Sequence, residues 1–511
     1  PDKITDLTGE MQFSNDKLTI KSLSARVGRS PLELSGSVVN LQNPTVDVRI
    51  KTDMQLDEIG KYTSLPEGTQ LAGRMHAALR VRGPANDPEH ARFQGTIKLA
   101  EGSLTSPDLS VPVTDVSANL KFTGQNVQIS TLAFKAGKSS ATITGKIVDP
   151  VNHPKGHLTL VSPVLDLDEL LPSSSPETPQ AAEPSSSHPV KLPFEALDGE
   201  VRVKKLITNE MALNDVRAKV RIRDNVLHIE NLTSGLYSGR LTGNATGDFN
   251  DPSGLAYDVT LKCKNVDVNN FASSVIPMKD TFFGNMDLEM KAQGRGLSAA
   301  AMKESLVGEG STVISRGKLA RLDLLRSLAG FLNLPSFENL RFNTLKSRFE
   351  LKDRKVAFDR LNLSAFGNDI SVEGFMGLDG ALNFSVSMLL SEELTQRFRQ
   401  KAVNVPSFLL VDSRRLPIDL IVTGSTESPA IAWDTEKALR RSAETHVQRG
   451  LQSLLSGFKK KPAESTVAEK DTSSARQDTL QVRKAEKTEE PVKEILRGLG
   501  GLFGKKKKKK Q

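Results

Sequence analysis

The sequence predicts a mainly β protein: an elongated antiparallel repeat sheet, apolar on one face, with a few short helices and a helical or disordered C-terminal tail. Three observations predict it. Apolar and polar residues alternate with a period of two over many short stretches. One such pattern recurs along the chain. Hydrophobic residues make up 37% of the 511 residues. That is too few to wrap a chain of this length round one thick core, but enough for a sheet that buries a single face.

The recurrence begins with Lys17-Leu-Thr-Ile-Lys-Ser-Leu-Ser-Ala, which runs on to Ser35-Gly36. Asn126-Val-Gln-Ile-Ser-Thr-Leu-Ala-Phe, running to Thr144-Gly145, aligns with it without a gap at an offset of 109. Lys355-Val-Ala-Phe-Asp-Arg-Leu-Asn-Leu, running to Glu373-Gly374, aligns with the second copy at an offset of 229. Asn225-Val-Leu-His-Ile-Glu-Asn-Leu, running to Thr242-Gly243, matches with a small length change. Each copy opens on a short alternating strand: Leu18/Ile20, Val127/Ile129, Leu227/Ile229, Val356/Phe358. The parity of the apolar residues then changes, as in Leu23/Ala25, Leu132/Phe134 and Leu361/Leu363. A change of parity predicts a bulge or turn that keeps the apolar side on one face. A turn and a third strand follow, with Leu32/Leu34, Ala141/Ile143 and Ile370/Val372, and a glycine closes the unit.

A second pattern fills the spaces. Gly73 to Gly83 is similar to Gly284 to Gly294, and Gly95 to Leu104 is similar to Gly310 to Leu319. Many short strands with Gly, Asn and Asp at the turns predict an all-β architecture. Helices are expected over 298–307, over 321–332 before Pro335, and over 435–458, where Leu439, Ala443, Val447, Leu451 and Leu455 recur every four residues.

Composition divides the chain. Residues 1–171 form a first strand-rich region and 194–434 a second. Between them, 172–193 is a Pro/Ser-rich linker expected to be disordered. An amphipathic helix at 435–458 leads to a charged, apolar-poor linker at 459–491 and then to an amphipathic segment, 492–511, with a poly-Lys end. The formal charge of +8 resides in that end: Lys493, Arg497 and Lys505 to Lys510 against Glu494 give +7, leaving +1 for the rest. A nearly neutral body with one Trp and three Tyr argues against nucleic acid as a partner. The chain opens at Pro1 in strand-like sequence, with no apolar run of ~20 residues. It reads as a fragment whose N-terminal region is missing.

Catalytic and cofactor motifs fail on context. Gly294-Arg-Gly296-Leu-Ser-Ala299 imitates a dinucleotide fingerprint, but that chemistry needs a βαβ unit, and the surroundings are antiparallel-type repeats. Gly137-Lys138-Ser139 imitates the end of a phosphate-binding loop, yet Leu132 stands where the first glycine is required. His153 and His157 are four apart, but Pro154 and Gly156 preclude a helix offering both to one metal. Cys263 is the single cysteine, has no His nearby in sequence and excludes an intramolecular disulfide. No enzyme, no cofactor and no metal site is expected.

The ordered motifs resemble the AsmA-like proteins of Gram-negative bacteria. Leu197-Asp-Gly-Glu-Val-Arg-Val is similar to the strand opening their C-terminal region. Leu236-Tyr-Ser-Gly-Arg-Leu-Thr-Gly243 resembles their YxGxxxG strand pair, and Gly308 to Leu319 before an amphipathic helix resembles their strand–helix element. Gly83-Pro-Ala-Asn-Asp-Pro and Gly95-Thr-Ile-Lys-Leu-Ala-Glu-Gly resemble TamB-type repeats of the same group. The resemblance covers residues 1–434 by pattern and is strongest over 197–434.

It implies a sheet curved into a groove, or half-pipe, that carries or bridges phospholipid between inner and outer membranes in support of outer-membrane biogenesis. It also implies a periplasmic location, with anchoring in the inner membrane by an N-terminal helix outside this sequence. The groove would be lined by Leu18, Ile20, Leu32, Leu34, Val127, Ile129, Ile143, Leu227, Ile229, Val356, Phe358, Ile370 and Val372, on whichever parity faces inward. A membrane-surface contact is expected in the tail, from Ile495, Leu496, Leu499, Leu502 and Phe503 beside Lys505, Lys506, Lys507, Lys508, Lys509 and Lys510, a pattern suited to anionic lipid. The rival reading is a non-enzymatic assembly factor for outer-membrane proteins, with an outer-membrane β-barrel as partner.

Overall fold

The computed structural model describes residues 4–59, 65–107, 109–170, 190–252, 254–275, 280–296, 301, 304–401 and 414–441. They form one open sheet of 23 strands, not closed into a barrel. The first ten are β1 (Ile4–Ser14), β2 (Lys17–Val27), β3 (Ser30–Val39), β4 (Thr45–Gln55), β5 (Gln70–Pro84), β6 (Arg92–Thr105), β7 (Val113–Gly124), β8 (Asn126–Ala136), β9 (Ser139–Val148) and β10 (Lys155–Asp166). Next come β11 (Ala196–Thr208), β12 (Met211–Arg223), β13 (Val226–Leu236), β14 (Gly239–Asp248), β15 (Ala256–Asp267), β16 (Phe282–Arg295) and β17 (Val307–Ala320). The last are β18 (Asn339–Lys352), β19 (Lys355–Ala365), β20 (Asn368–Gly377), β21 (Ala381–Leu389), β22 (Pro417–Ser425) and β23 (Pro429–Trp433). Helices are α1 (Leu56–Ile59), α2 (Leu167–Leu170), α3 (Val268–Val275), α4 (Asp323–Leu332) and α5 (Glu392–Lys401).

Each strand pairs with the next in sequence, and every pairing but β10–β11 is antiparallel. The four sequence copies are β2–β3, β8–β9, β13–β14 and β19–β20, each extended by a further strand and a helix: β4–α1, β10–α2, β15–α3 and β21–α5. The expected change of parity is a register shift at the same place in all four: Ile20/Leu23, Ile129/Leu132, Ile229/Leu232 and Phe358/Leu361. An extra residue on one strand at each shift returns the apolar side chains to the same face.

The copies have equal lengths, with strands of 11 and then 10 residues in each. The small length change expected for the third copy is therefore absent. Its position equivalent to Gly36, Gly145 and Gly374 is Ala245, which sits opposite Ile229 as Gly145 sits opposite Ile129. Where the glycine is present it is required. Gly145 adopts φ +142°, and a Cβ there would stand 2.1 Å from the carbonyl oxygen of His157.

Helices α1 to α5 follow strands that run in the same direction, so all five lie on one rim of the sheet. Residues 435–441, the described part of the expected 435–458 helix, follow β23 onto that rim. Of the helix expected at 298–307, residues 301, 304 and 305 are helical, on the opposite rim. The helix expected at 321–332 is α4. Asn333 ends it in the left-handed conformation, φ 53°, and Pro335 follows.

The rim helices latch onto neighbouring turns. In α1, buried Glu58 accepts hydrogen bonds from the Ser30 hydroxyl, the Arg29 backbone N–H at 2.7 Å and Arg29 Nε at 3.3 Å. In α2, Glu169 accepts from the Lys138 backbone N–H at 3.0 Å, and Asp168 accepts from those of Asn209 (2.6 Å) and Glu210 (2.9 Å). Ser30 and Ser139, both 1% exposed, occupy equivalent positions. Their hydroxyls accept from the backbone N–H of Gln55 and Asp166, where each third strand meets its helix. In the fourth copy Asn368 does this through its amide oxygen, which accepts from Ser391 N–H at 2.7 Å.

The parallel pair has a structural cause. After α1 come β5, β6 and β7, and after α3 come β16, β17 and β18, but after α2 come only β11 and β12. Order and the opening glycines, Gly95, Gly199 and Gly310, make β11 the counterpart of β6 and β17. Among the described residues this period holds one strand fewer than six; most of the expected 172–193 linker lies outside the described residues.

Two outcomes follow for stability. Gly145→Ala meets both a disallowed φ and a backbone clash, and is expected to lower the unfolding free energy by at least about 1–3 kcal/mol, read from the urea midpoint. Glu58→Gln is expected to destabilise by about 1–3 kcal/mol at pH 7. The Ser30 hydroxyl, and then the Arg29 N–H, hold the Glu58 carboxyl below its ordinary 4.5. Its stabilisation is therefore complete above that pH and is lost as pH falls through the lower folded value. The gap between wild type and variant should close in acid; a gap that widens there would refute the latch.

Candidate functional site

Register pairs trace one face across the whole sheet. Starting from Phe13, it passes through Leu18 and Val38 to Val46, then Gly83. A neighbouring row runs Leu34, Ile50, Leu79, Gly95, Phe122, Val127 and Ile147. Beyond the parallel pair it continues through Val201, Ala218, Val220 and Ile229 to Ala245, Val259 and Ala292. Ile314, Leu345, Leu363, Ile370, Met388 and Ile418 close the series.

All the residues expected to line a groove lie on this face, each opposite apolar or small partners. Leu18 faces Phe13 and Val38; Ile20 faces Met11 and Gly36; Leu32 faces Ala25 and Thr52; Leu34 faces Leu23 and Ile50. Val127 faces Phe122 and Ile147, Ile129 faces Leu120 and Gly145, and Ile143 faces Leu132 and Leu160. Leu227, Ile229, Val356, Phe358, Ile370 and Val372 repeat the arrangement downstream. They differ in access. Val127, Ile129 and Ile370 are buried at 8%, 6% and 6%, whereas the other ten are half-exposed. Sequence repetition missed the lining from β4 to β7, where Ile50, Leu79, Ile97 and Leu120 connect the copies. Plain alternation within each of those strands carried the signal.

The opposite face is laced with cross-strand ion pairs. Asp47 bridges Arg80 at 2.6 Å and Arg82 at 3.2 Å, Asp53 bridges Arg74 at 2.6 Å, and Asp198 bridges Arg223 at 2.7 Å. Hydrogen bonds from Arg80 and then Arg82 lower the Asp47 carboxyl to about 2, so this carboxylate stays ionised into acid pH. Exposed pairs of this kind contribute little to stability. Their value is directional, because they fix this face toward water and leave the apolar one to be covered.

Along the sheet the apolar face changes character. From β2 to β10 it is mostly half-exposed. From β11 onward the part of this face beside the helical rim becomes a buried cluster that takes in Val266, Leu340, Phe342, Met388 and Leu420 together with Leu325, Leu328 and Leu332 of α4 and Leu394 and Phe398 of α5, while Leu227, Ile229, Leu261, Met290, Val356 and Phe358 stay half-exposed. Cys263 belongs to this cluster, and burial pushes its thiol up to about 11. A cavity of about 1110 Å³ spans β15 to β20. Its lining mixes Leu261, Met290, Phe349 and Phe358, which lie half-exposed on the apolar face, with Lys262, Glu289 and Arg348.

The remaining motifs resolve as structure. Gly137 and Lys138 make the β8–β9 turn, with Ser139 buried as a latch. Gly294 ends β16 beneath Tyr257. His153 contacts Glu195 at 3.0 Å, while His157 points to the polar face opposite Lys146 and Asp198. Among the described residues, no group of His, Cys, Asp and Glu is placed to hold a metal ion, and no helix is long and apolar enough to cross a membrane. The tail residues Ile495 to Lys510 lie outside the described residues.

A family model described as the AsmA family matches residues 100–366. No curated protein and no solved structure matches the chain. The matched span runs from β6 to the β19–β20 turn, through the parallel junction and α4. On that match, and on an open β-groove sheet of repeated units, the chain belongs to the AsmA family.

Proposed function

We propose that this protein carries or bridges phospholipid between the inner and outer membranes, holding acyl chains against the apolar face and leaving headgroups in water. Membership of the AsmA family accords with a role in the cell envelope. One observation carries the finer reading: a continuous, half-exposed apolar stripe over β2–β10, backed by a polar face of ion pairs. Exposed apolar surface costs about 25 cal/mol per Å² in water. Acyl chains relieve that cost at about 0.8 kcal/mol per buried CH₂, which favours sliding along the stripe over release into water. The periplasm and an inner-membrane anchor belong to the same proposal, as does contact of the lysine-rich tail with anionic lipid.

A second reading, an assembly factor for outer-membrane β-barrel proteins, has one observation in its favour. β1 is exposed along its whole length and has no partner on its outer side among the described residues. A free strand edge is a template for another strand.

The test is what the purified protein holds. Lipid extraction and native mass spectrometry should find phospholipid on the wild type. Leu79→Glu together with Leu120→Glu, both half-buried positions, should reduce bound phospholipid at least about tenfold, equivalent to about 1.4 kcal/mol, with an unchanged circular dichroism spectrum. Undiminished lipid in that variant would overturn the assignment of the face. Recovery of a β-barrel protein in place of lipid would favour the second reading.

A further inference from the structure

Beyond the parallel pair, two rows of the apolar face stay open while the rows beside them are covered. The first leaves β10 at Leu158, crosses to Gly199 on β11, and runs through Ile229 and Val259 to Val356 and Met376. It is half-exposed on every strand except β16, where Ala292 is buried. The second lies two residues nearer the rim of α3–α5 and includes Leu261, Met290, Phe349 and Phe358, all half-exposed. Still nearer that rim, Cys263, Ile314, Leu345, Leu363 and Ile370 are buried in the cluster that α4 and α5 join.

The parallel step does not interrupt these rows. Leu158 stands opposite Gly199 and Leu160 opposite Val201, so both continue on the same face. The cavity of about 1110 Å³ lies on them, and Gly308 and Gly310 leave part of its floor without side chains between Met290 and Phe349. Leu261 and Phe358 also pack against the buried cluster, so the second row is the foot of a wall. From β10 to β20 there are ten strand spacings, about 48 Å. The acyl chains of one leaflet span only half of a ~30 Å hydrocarbon core.

We infer that the acyl path does not end with β10: it crosses the parallel step and continues over β11–β20 as a lane two rows wide, walled on one side by the core beside α3–α5, with headgroups toward the opposite rim. A headgroup laid the other way would be buried against apolar side chains without hydrogen-bond partners, which is costly. The lane is longer than the chains of one lipid, so it takes phospholipids in file. This inference rests on the lipid reading above, and the test separates the two.

The unmodified protein is incubated with a phosphatidylethanolamine bearing a diazirine on one acyl chain, irradiated, digested and mapped to residues by mass spectrometry. The same protein labelled in urea confirms that peptides from every strand are detectable. The expected result is labelling of both β2–β10 and the lane, with Leu261, Met290, Phe349 and Phe358 labelled at least ten times as strongly as Leu345, Leu363 and Ile370. A second probe carries the diazirine on the headgroup. It should label the turns at Asp224-Asn225 and Asp353-Arg354, on the rim opposite the helices, at least ten times as strongly as α3–α5. Acyl labelling confined to β2–β10, or headgroup labelling equal on the two rims, would overturn the lane while leaving the lipid reading intact. An absence of acyl-chain labelling in the folded protein would overturn the lipid reading itself, and the lane with it.

Discussion

A sheet that adds each strand beside the last must keep its apolar side chains on the same face at every step, because a slip of one residue turns a whole strand inside out. Most irregularities of this molecule serve that constraint. The register shifts at Ile20/Leu23, Ile129/Leu132, Ile229/Leu232 and Phe358/Leu361 absorb an extra residue without exchanging faces. Gly145 and Gly374 sit on the apolar face close against the backbone of the next strand, where a Cβ would collide with a carbonyl oxygen. The ion pairs around Asp47 and Asp198 hold the other face to water.

Much of this was legible in the sequence. Alternation gave the strands, and the parity change within each copy gave the bulge, because both are local consequences of a period of two. The span of α4 was close, since its apolar spacing and Pro335 are also local signals. Less visible was whatever depends on distant partners. Ser30 and Ser139 look like turn residues in sequence but are buried latches, because each meets a strand end some 25 residues away. The repeated tetrapeptides Leu56-Asp-Glu-Ile59 and Leu167-Asp-Glu-Leu170 were the available sign of the rim helices and their capping carboxylates. The third copy misled for a similar reason: a glycine two positions early, at Gly243, imitated a change of length that the register does not contain.

Access to the apolar residues was the hardest property to foresee. Period-two alternation assigns a face but not what covers it. Ile129 and Ile143 read alike in sequence, yet one is buried and the other half-exposed. Ile370 and Val372 belong to the same kind of strand as Leu32 and Leu34, but they lie over a core to which α4 and α5 contribute. The same strand grammar thus builds an uncovered trough in one stretch and, beside the helices of another, a packed interior. The difference lies in two helical connections rather than in the strands.

The parallel pair at β10–β11 bears on how such a chain can change length. In a meander, strands alternate in direction like the teeth of a zigzag. Removing two strands leaves everything downstream in phase, whereas removing one reverses it. Among the described residues this period holds one strand fewer, and β11 runs parallel to β10. That parallel step restores the phase. Without it, α3, α4 and α5 would emerge on the rim opposite α1 and α2, and the helices that now join the buried cluster would stand on the wrong side of the sheet. A single parallel step between two β regions thus acts as a half-period correction, allowing an odd number of strands to be lost without inverting the molecule.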